Sequence, residues 1–318
     1  MAKPQEKELI APISKDVLVE ELSKDKFIRT TNYGDNEIYV ITHHNSPNVM
    51  KEIGRLRELS FRLAGGGTGK DADIDNYDTA EEPYYQLLVW EPKEKEIIGG
   101  YRFMNCNTVP TDDKGKIKLA TTGLFDFSDK FVKEYLPYSL ELGRSFVRPE
   151  YQARNAGRKA VFALDNLWDG LGALTIETPS VKYFFGKITM YVHFDSIARD
   201  LILYFFSKYF GDRENLMTAK SDLGLTTDAK FLEETFTGGN YSDDYKILSK
   251  KVRERNENIP PLFNSYMNLS PTMKVFGTAT NHNFGGVEET GILVTIDDIY
   301  ESKKHRHLST YKAKGLKF

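Results

Sequence analysis

SLELGRSFVRP, Ser139 to Pro149, carries the opposite charges Glu141 and Arg144 inside a stretch that otherwise alternates like a β-strand, before Arg148 at its end. A charge in an inner strand is costly unless it is paired or used. Strict alternation would send Glu141 and Arg144 to opposite faces of the sheet. An extra residue at Gly143 would return both to one face, and such bulges often re-aim side chains beside active sites. The stretch therefore predicts an irregular strand around Gly143, next to a polar site, in a sheet whose other strands must be found on either side.

They are found by period and punctuation. YYQLLVWEP (Tyr84 to Pro92) and EIIGGYRFMN (Glu96 to Asn105), joined by a charged turn, predict an antiparallel hairpin. EIYVITHH (Glu37 to His44) alternates as a strand, and Met50 to Leu63 has the apolar spacing of a helix. Downstream, RKAVFALDNLWDGLGAL puts Val161, Leu164, Leu167, Trp168 and Leu171 on one helical stripe. VKYFFGKITM is a strand and IARDLILYFFSKYF an apolar helix. From Asp212 to Asn258 the chain turns polar, which predicts a helical, solvent-facing insertion. Apolar pattern resumes at IPPLFNSYMNL and TGILVTIDDI, and the sequence closes on the basic KKHRHLSTYKAKGLKF. The whole reads as one enlarged domain, with its core at about 37–211, the insertion at about 212–258 and a completing segment at about 259–311.

FRLAGGGTGKDADIDNYD (Phe61 to Asp78) approaches the phosphate-loop pattern but fails it. Ala64 stands where the first glycine belongs, Asp71 where a hydroxyl should ligate magnesium, and a helix precedes instead of a strand. The expected role is a mobile glycine linker that lets an acidic hairpin, Asp73 to Asp78, sit over a substrate.

The 318 residues have a net charge of −3, with no field suited to nucleic acid. The single cysteine, Cys106, excludes an internal disulfide and fits a reducing compartment. It is expected to be a buried strand residue. The six histidines make no metal-ligand spacing, so no metal is expected. MAKPQEKELIAP lacks the apolar centre of a signal peptide, and no run reaches a membrane span of about 20 residues. A soluble, cytoplasmic chain is expected, with peripheral contact between its basic tail and anionic lipid as an option.

Further charges stand out beside those of Ser139 to Pro149. Arg57 and Phe61 share a helix face, Asp75 and Asp78 follow the glycines, and Arg102 interrupts an apolar strand after Gly99-Gly100. Taken in order, RLRELSFR, DIDNYD, GGYRF, LELGRSFVRPEYQ and the later IPPLFNSYMNLSPTMKVFGTATNHNFGGVEETGILV resemble the GNAT-fold acyltransferases that take acyl chains from acyl carrier protein. The similarity is to the branch that N-acylates amino acids to make ornithine or glycine lipids, sometimes called hemolysin-like. Acyl-homoserine-lactone synthases are more distant relatives. It covers roughly residues 49–311 and implies an α/β (α+β) fold, a mixed, mostly antiparallel twisted sheet flanked by helices with a C-terminal extension.

The resemblance also implies roles. Arg57, Phe61, Asp75, Asp78 and Arg102 would bind substrate. Glu141, Arg144 and Ser145 would be catalytic, with Glu141 as general base and a backbone N–H near Ser145 to Val147 meeting the oxyanion. Asp75 and Asp78 are candidates for the acceptor's ammonium group, and Arg102 or Arg144 for its carboxylate. Phe146, Val147, Arg148, Arg154, Gly157, Arg158 and Lys159 would receive the donor's phosphopantetheine at a strand-to-helix corner. RNAGRKA departs from the family's phosphate signature, with Lys159 where a small residue is usual. That favours acyl carrier protein, with its single phosphate, over acyl-CoA. The implied reaction moves a 3-hydroxyacyl or other fatty acyl group to an amino acid's α-amine, glycine before ornithine, with no permanently bound cofactor. A homoserine-lactone synthase and a non-catalytic acyl- or lipid-binding protein are the alternatives.

Overall fold

In a computed structural model that describes residues 6–152 and 158–318, the expected strands assemble into one sheet. Its strands are β1 (Phe27–Thr30), β2 (Glu37–Ile41), β3 (Tyr85–Glu91), β4 (Glu96–Asn105), β6 (Ser139–Val147), β7 (Tyr183–Met190), β9 (Lys274–Asn281) and β10 (Val287–Thr295). A separate two-stranded ribbon pairs β5 (Phe125–Phe127) with β8 (Met217–Ala219). The large sheet runs β1-β2-β3-β4-β6-β7-β10-β9, antiparallel everywhere except between β6 and β7. The mixed, mostly antiparallel α/β architecture is thus established.

Alternation along the strands divides the core. On one face Leu87, Tyr101, Phe103, Leu140, Leu142, Phe184 and Ile292 pack under α4 (Arg158–Glu177), α5 (Ser196–Phe210) and α8 (Pro261–Met267). The opposite face carries two smaller apolar clusters. One joins Leu88, Trp90, Ile97 and Phe146 to α1 (Lys15–Glu21) and α2 (Pro47–Leu63). The other joins Tyr84, Met104, Phe185 and Leu293 to the β5–β8 ribbon. Polar side chains occupy the seam between them.

Two features of β6 shape that seam. Opposite β4, Gly100 pairs with Phe146 and Arg102 with Gly143, so Tyr101 alone faces both Arg144 and Ser145. The bulge lies one residue beyond the expected glycine, and Arg144, at φ 49°, takes the left-handed backbone. Opposite β7, pairing stops at Leu142–Gly186 although both strands continue. A Cβ at Gly186 would collide with the Leu142 carbonyl, so the two backbones close tightly there and then part.

Three expectations need correction. The segment at 212–258 does form helices, α6 (Ala229–Thr235) and α7 (Tyr241–Glu254), but it is not simply solvent-facing: Leu232, Phe236, Leu248 and Val252 are buried in the main core. Most of its charges lie on the outer side of amphipathic helices, but Asp244 is buried and accepts from Lys208 and the Tyr209 hydroxyl of α5. The glycine stretch is held in place. Glu58, fully buried, accepts from Thr68 N at 3.0 Å, Thr68 Oγ1 at 2.7 Å and Gly69 N at 2.7 Å, so a protein carboxylate fills the nest of amides. The basic tail beyond α9 (Glu301–His307) is docked as well. Tyr311 is buried and donates to Glu177, while Phe318 packs edge-on against Phe103.

Candidate active site

The seam starts from α2. Its inward face delivers Arg57, 0% exposed, onto Asp78 at 3.2 Å and onto the amide oxygen of Gln86 on β3. Asp78 lies in α3 (Asn76–Thr79), which Asp75 begins with a reciprocal capping box: Asp75 accepts from Tyr77 N at 2.9 Å, and Asp78 from Asp75 N at 3.1 Å. Arg102, pointing up from β4, closes the lattice with 2.8 Å contacts to both Asp75 oxygens and 3.4 Å to Asp78. The rings of Tyr77 and Tyr84 flank its guanidinium at 5.6 and 5.2 Å.

Electrostatics follow from this packing. Burial opposes the charge on Asp78, but Arg57 and Arg102 outweigh it and hold the carboxyl well below its ordinary value. Burial likewise opposes the charge on Arg102, and Asp78 and Asp75 overcome it, leaving the guanidinium more firmly protonated than usual.

Glu141 sits further along the same face. It is 2% exposed and accepts from Thr121 N at 2.7 Å and from the Tyr84 hydroxyl, which in turn accepts from Ala120 N at 3.0 Å. Burial and then the Glu141 charge push the Tyr84 phenol well above its usual value, so it stays a donor. The bulge brings Arg144 to the same face. Its Nε lies 2.8 Å from Asp73, and its guanidinium stacks 4.3 Å from the Phe284 ring, which meets Phe61 edge-on.

Beyond Leu142–Gly186 the parted strands leave a cleft through the sheet. Gly143, Ser145, Tyr101, Tyr266, Leu262 and Lys187 are among its lining residues. Burial raises the Tyr101 phenol, and burial with its neighbour Tyr101 raises that of Tyr266 still further, so both remain protonated. Past Val147, whose strand pairs it with Gly99, Arg148 is taken up by Glu96 at 3.2 Å and Glu150 at 3.0 Å. Arg154 and Gly157 lie outside the described residues, as do the side chains of Arg158 and Lys159.

The structure brings Arg57, Phe61, Asp75, Asp78, Arg102, Glu141 and Arg144 onto one face, and puts Ser145 in the cleft below. Sequence reasoning missed Tyr84, Gln86, Thr121, Lys187 and Phe284, and had Asp73 only as the start of the acidic stretch. Tyr84 and Gln86 had a signal, since a tyrosine and an amide open a strand that is apolar thereafter. Cys106 is buried as expected, with its thiol pushed up by burial, but it lies just past the end of β4, in a 3-10 turn and not in a strand.

A sheet parted beside a buried acid, with a polar lattice above it, belongs to an acyltransferase of the GNAT fold. Residues 56–160 match the acetyltransferase (GNAT) domain family. The chain is 58% identical to a glycine N(alpha)-acyltransferase of Phocaeicola vulgatus over 96% of this chain and 93% of that one. It is 56% identical to one of Bacteroides thetaiotaomicron over 96% and 90%. The chain belongs to this glycine N(alpha)-acyltransferase family. Among solved structures, the AHL synthase LasI aligns with 48% of this chain and 72% of its own at 14% identity and a TM-score of 0.30, too distant to carry an argument.

Proposed function

We propose that the protein transfers a fatty acyl group, 3-hydroxyacyl among the candidates, from a phosphopantetheine thioester to the α-amine of glycine. The observation that carries this reading is the parting of β6 from β7 directly beside Glu141. An extended thioester arm could run along the β6 edge left open there once the lining side chains move apart, since the cleft itself holds only about 20 Å³, and its carbonyl would then come next to a buried base. The names of the curated relatives support glycine as acceptor. Acyl carrier protein is the favoured donor, on the departure at Lys159.

In the proposed reaction Glu141, directly or through one water, takes a proton from the glycine ammonium. Both carboxylate oxygens already accept one hydrogen bond, and each keeps a second lone pair for the incoming proton. The freed amine attacks the thioester carbon and forms the C–N bond. The unpaired edge of β6 from Gly143 to Val147 offers backbone N–H groups to the oxyanion. Collapse breaks the C–S bond, the attacking nitrogen gives up its second proton, and a cleft hydroxyl (Tyr101, Ser145 or Tyr266) relays that proton to the departing thiolate, while Glu141 returns the first to solvent. Arg57, Asp75, Asp78 and Arg102 act by fixing the walls, since they are committed to one another.

The test mixes the purified protein with 3-hydroxypalmitoyl-acyl carrier protein or the matching CoA thioester, and with glycine or ornithine. Mass spectrometry should find N-acylglycine, formed faster from the carrier-protein donor. Absence of N-acylglycine with either donor would sink the reading, and a predominance of N-acylornithine would replace its acceptor.

A further inference from the structure

The two arginines expected to hold the acceptor's carboxylate already face acids. Arg102 is bound to Asp75 and Asp78, and Arg144 has its Nε 2.8 Å from Asp73 and its guanidinium over the Phe284 ring. The glycine carboxylate, if glycine is the acceptor, still requires a cation near Glu141. Lys187 of β7 is the cation that lines the cleft. It is the first residue after the last β6–β7 pair, and alternation from Phe185 puts its side chain on the face of Glu141 and Arg102. Its ammonium donates to Ala120 O at 3.1 Å and meets Glu289 only at 3.6 Å. An ammonium has three donors, so it has capacity left.

The surroundings point the same way. Lys187 and Glu141 hang from one dipeptide: Ala120 O accepts from Lys187, Ala120 N donates to Tyr84, and Thr121 N donates to Glu141. Gly143, the next residue after Glu141 on this face of β6, floors the space before Lys187. A Cβ built there would meet nothing closer than Arg102 Nε at 3.7 Å. That Nε is buried and has no hydrogen-bond partner, an unmet donor aimed into the same space. A buried acid, an ammonium with donors to spare and a guanidinium N–H without a partner thus border one polar face, the kinds of group that the two charges of a zwitterion require.

We propose that Lys187, with the free Nε–H of Arg102, binds the α-carboxylate of the acceptor and so sets the enzyme's selection of a free amino acid over an uncharged amine. This rests on the acceptor reading above. It also explains why Glu289 stays at arm's length: it supports the ammonium without consuming it.

The test compares glycine with glycinamide, which keeps the amine and lacks the carboxylate charge, as acceptors for wild type, Lys187→Met and Lys187→Arg, with one acyl-thioester donor throughout. Lys187→Met should raise KM for glycine about tenfold or more, the worth of one charge-assisted hydrogen bond, with little change in kcat. KM for glycinamide should hardly move, and Lys187→Arg should recover most of the glycine affinity. Equal losses for both acceptors would overturn the inference and make Lys187 a brace for the Ala120 loop. If Lys187→Met does not fold, Lys187→Gln takes its place in the same comparison. Wild-type protein that acylates neither acceptor would fail the functional reading itself, a result distinct from any ratio between acceptors.

Discussion

Glu141 is held by two donors from different elements, the Tyr84 hydroxyl of the sheet face and the Thr121 amide of a loop. Neither donor ionises at neutral pH, so the carboxylate keeps a fixed direction while its charge is available for proton transfer. Replacing it with glutamine keeps the shape and removes the proposed base. Glu141→Gln should cut kcat about a hundredfold or more and leave the melting temperature nearly unchanged. An unaffected kcat in steady-state acyl transfer would reassign the base. Tyr84→Phe leaves one carboxylate oxygen and the Ala120 amide without their partner, and should lower both rate and stability, by about 1–3 kcal/mol for the latter in chemical denaturation. Full stability in that variant would show that water replaces the phenol without loss.

At the scale of elements, the Arg57–Asp78–Arg102 lattice fastens α2 and α3 to β3 and β4. Asp78 has its carboxyl depressed in the folded protein, so its contribution is complete above the ordinary carboxylate value and is lost as pH falls below it, toward the folded-state value. Asp78→Asn should cost about 3–5 kcal/mol at pH 7, because two arginines are left buried with fewer partners. The gap from wild type in urea denaturation should narrow as pH drops through the carboxylate range. A gap that does not depend on pH would mean that shape, not charge, carries the effect. Arg102 was legible because it interrupts an apolar strand, while Arg57 and Asp78 were legible from their places in the ordered motifs RLRELSFR and DIDNYD. Lys187 was not, since a lysine alternating with Phe185 and Thr189 looks like an ordinary solvent face. Ala120 and Thr121 act through backbone groups, which no residue type announces. β1 and β9 escaped for a related reason: FIRT is short and KVFGTATN is diluted by glycine and threonine. The glycine stretch misled because its partner, Glu58, resembles any solvated helix charge.

Over the whole molecule, chain ends and middle share one core. Tyr311 from the tail lies under the Arg29 guanidinium of β1 and donates to Glu177 at the end of α4, three parts of the chain far apart in sequence. Tyr311→Ala should cost about 3–5 kcal/mol, the usual range for a buried aromatic truncation. Calorimetry should show it as a fall of several degrees, while acyl transfer measured well below the transition stays near wild type. An unchanged melting temperature would make the docked tail incidental. No helix among the described residues is long and apolar enough to cross a membrane.

The parted strands have a consequence for how two unlike reactants meet. Leu262 and Tyr266 line the cleft from one side of the sheet and Lys187 from the other. In the proposed reaction the sheet would work as a partition with a window: the oily thioester would come to it from the helical side, the zwitterion from the polar side. Neither blocks the other's doorway, so either could arrive first. Both must be present before the bond is made, because direct aminolysis parks no acyl group on the protein. Double-reciprocal plots at several fixed glycine concentrations should accordingly intersect, whereas parallel lines would mean that the two reactants take turns at the window.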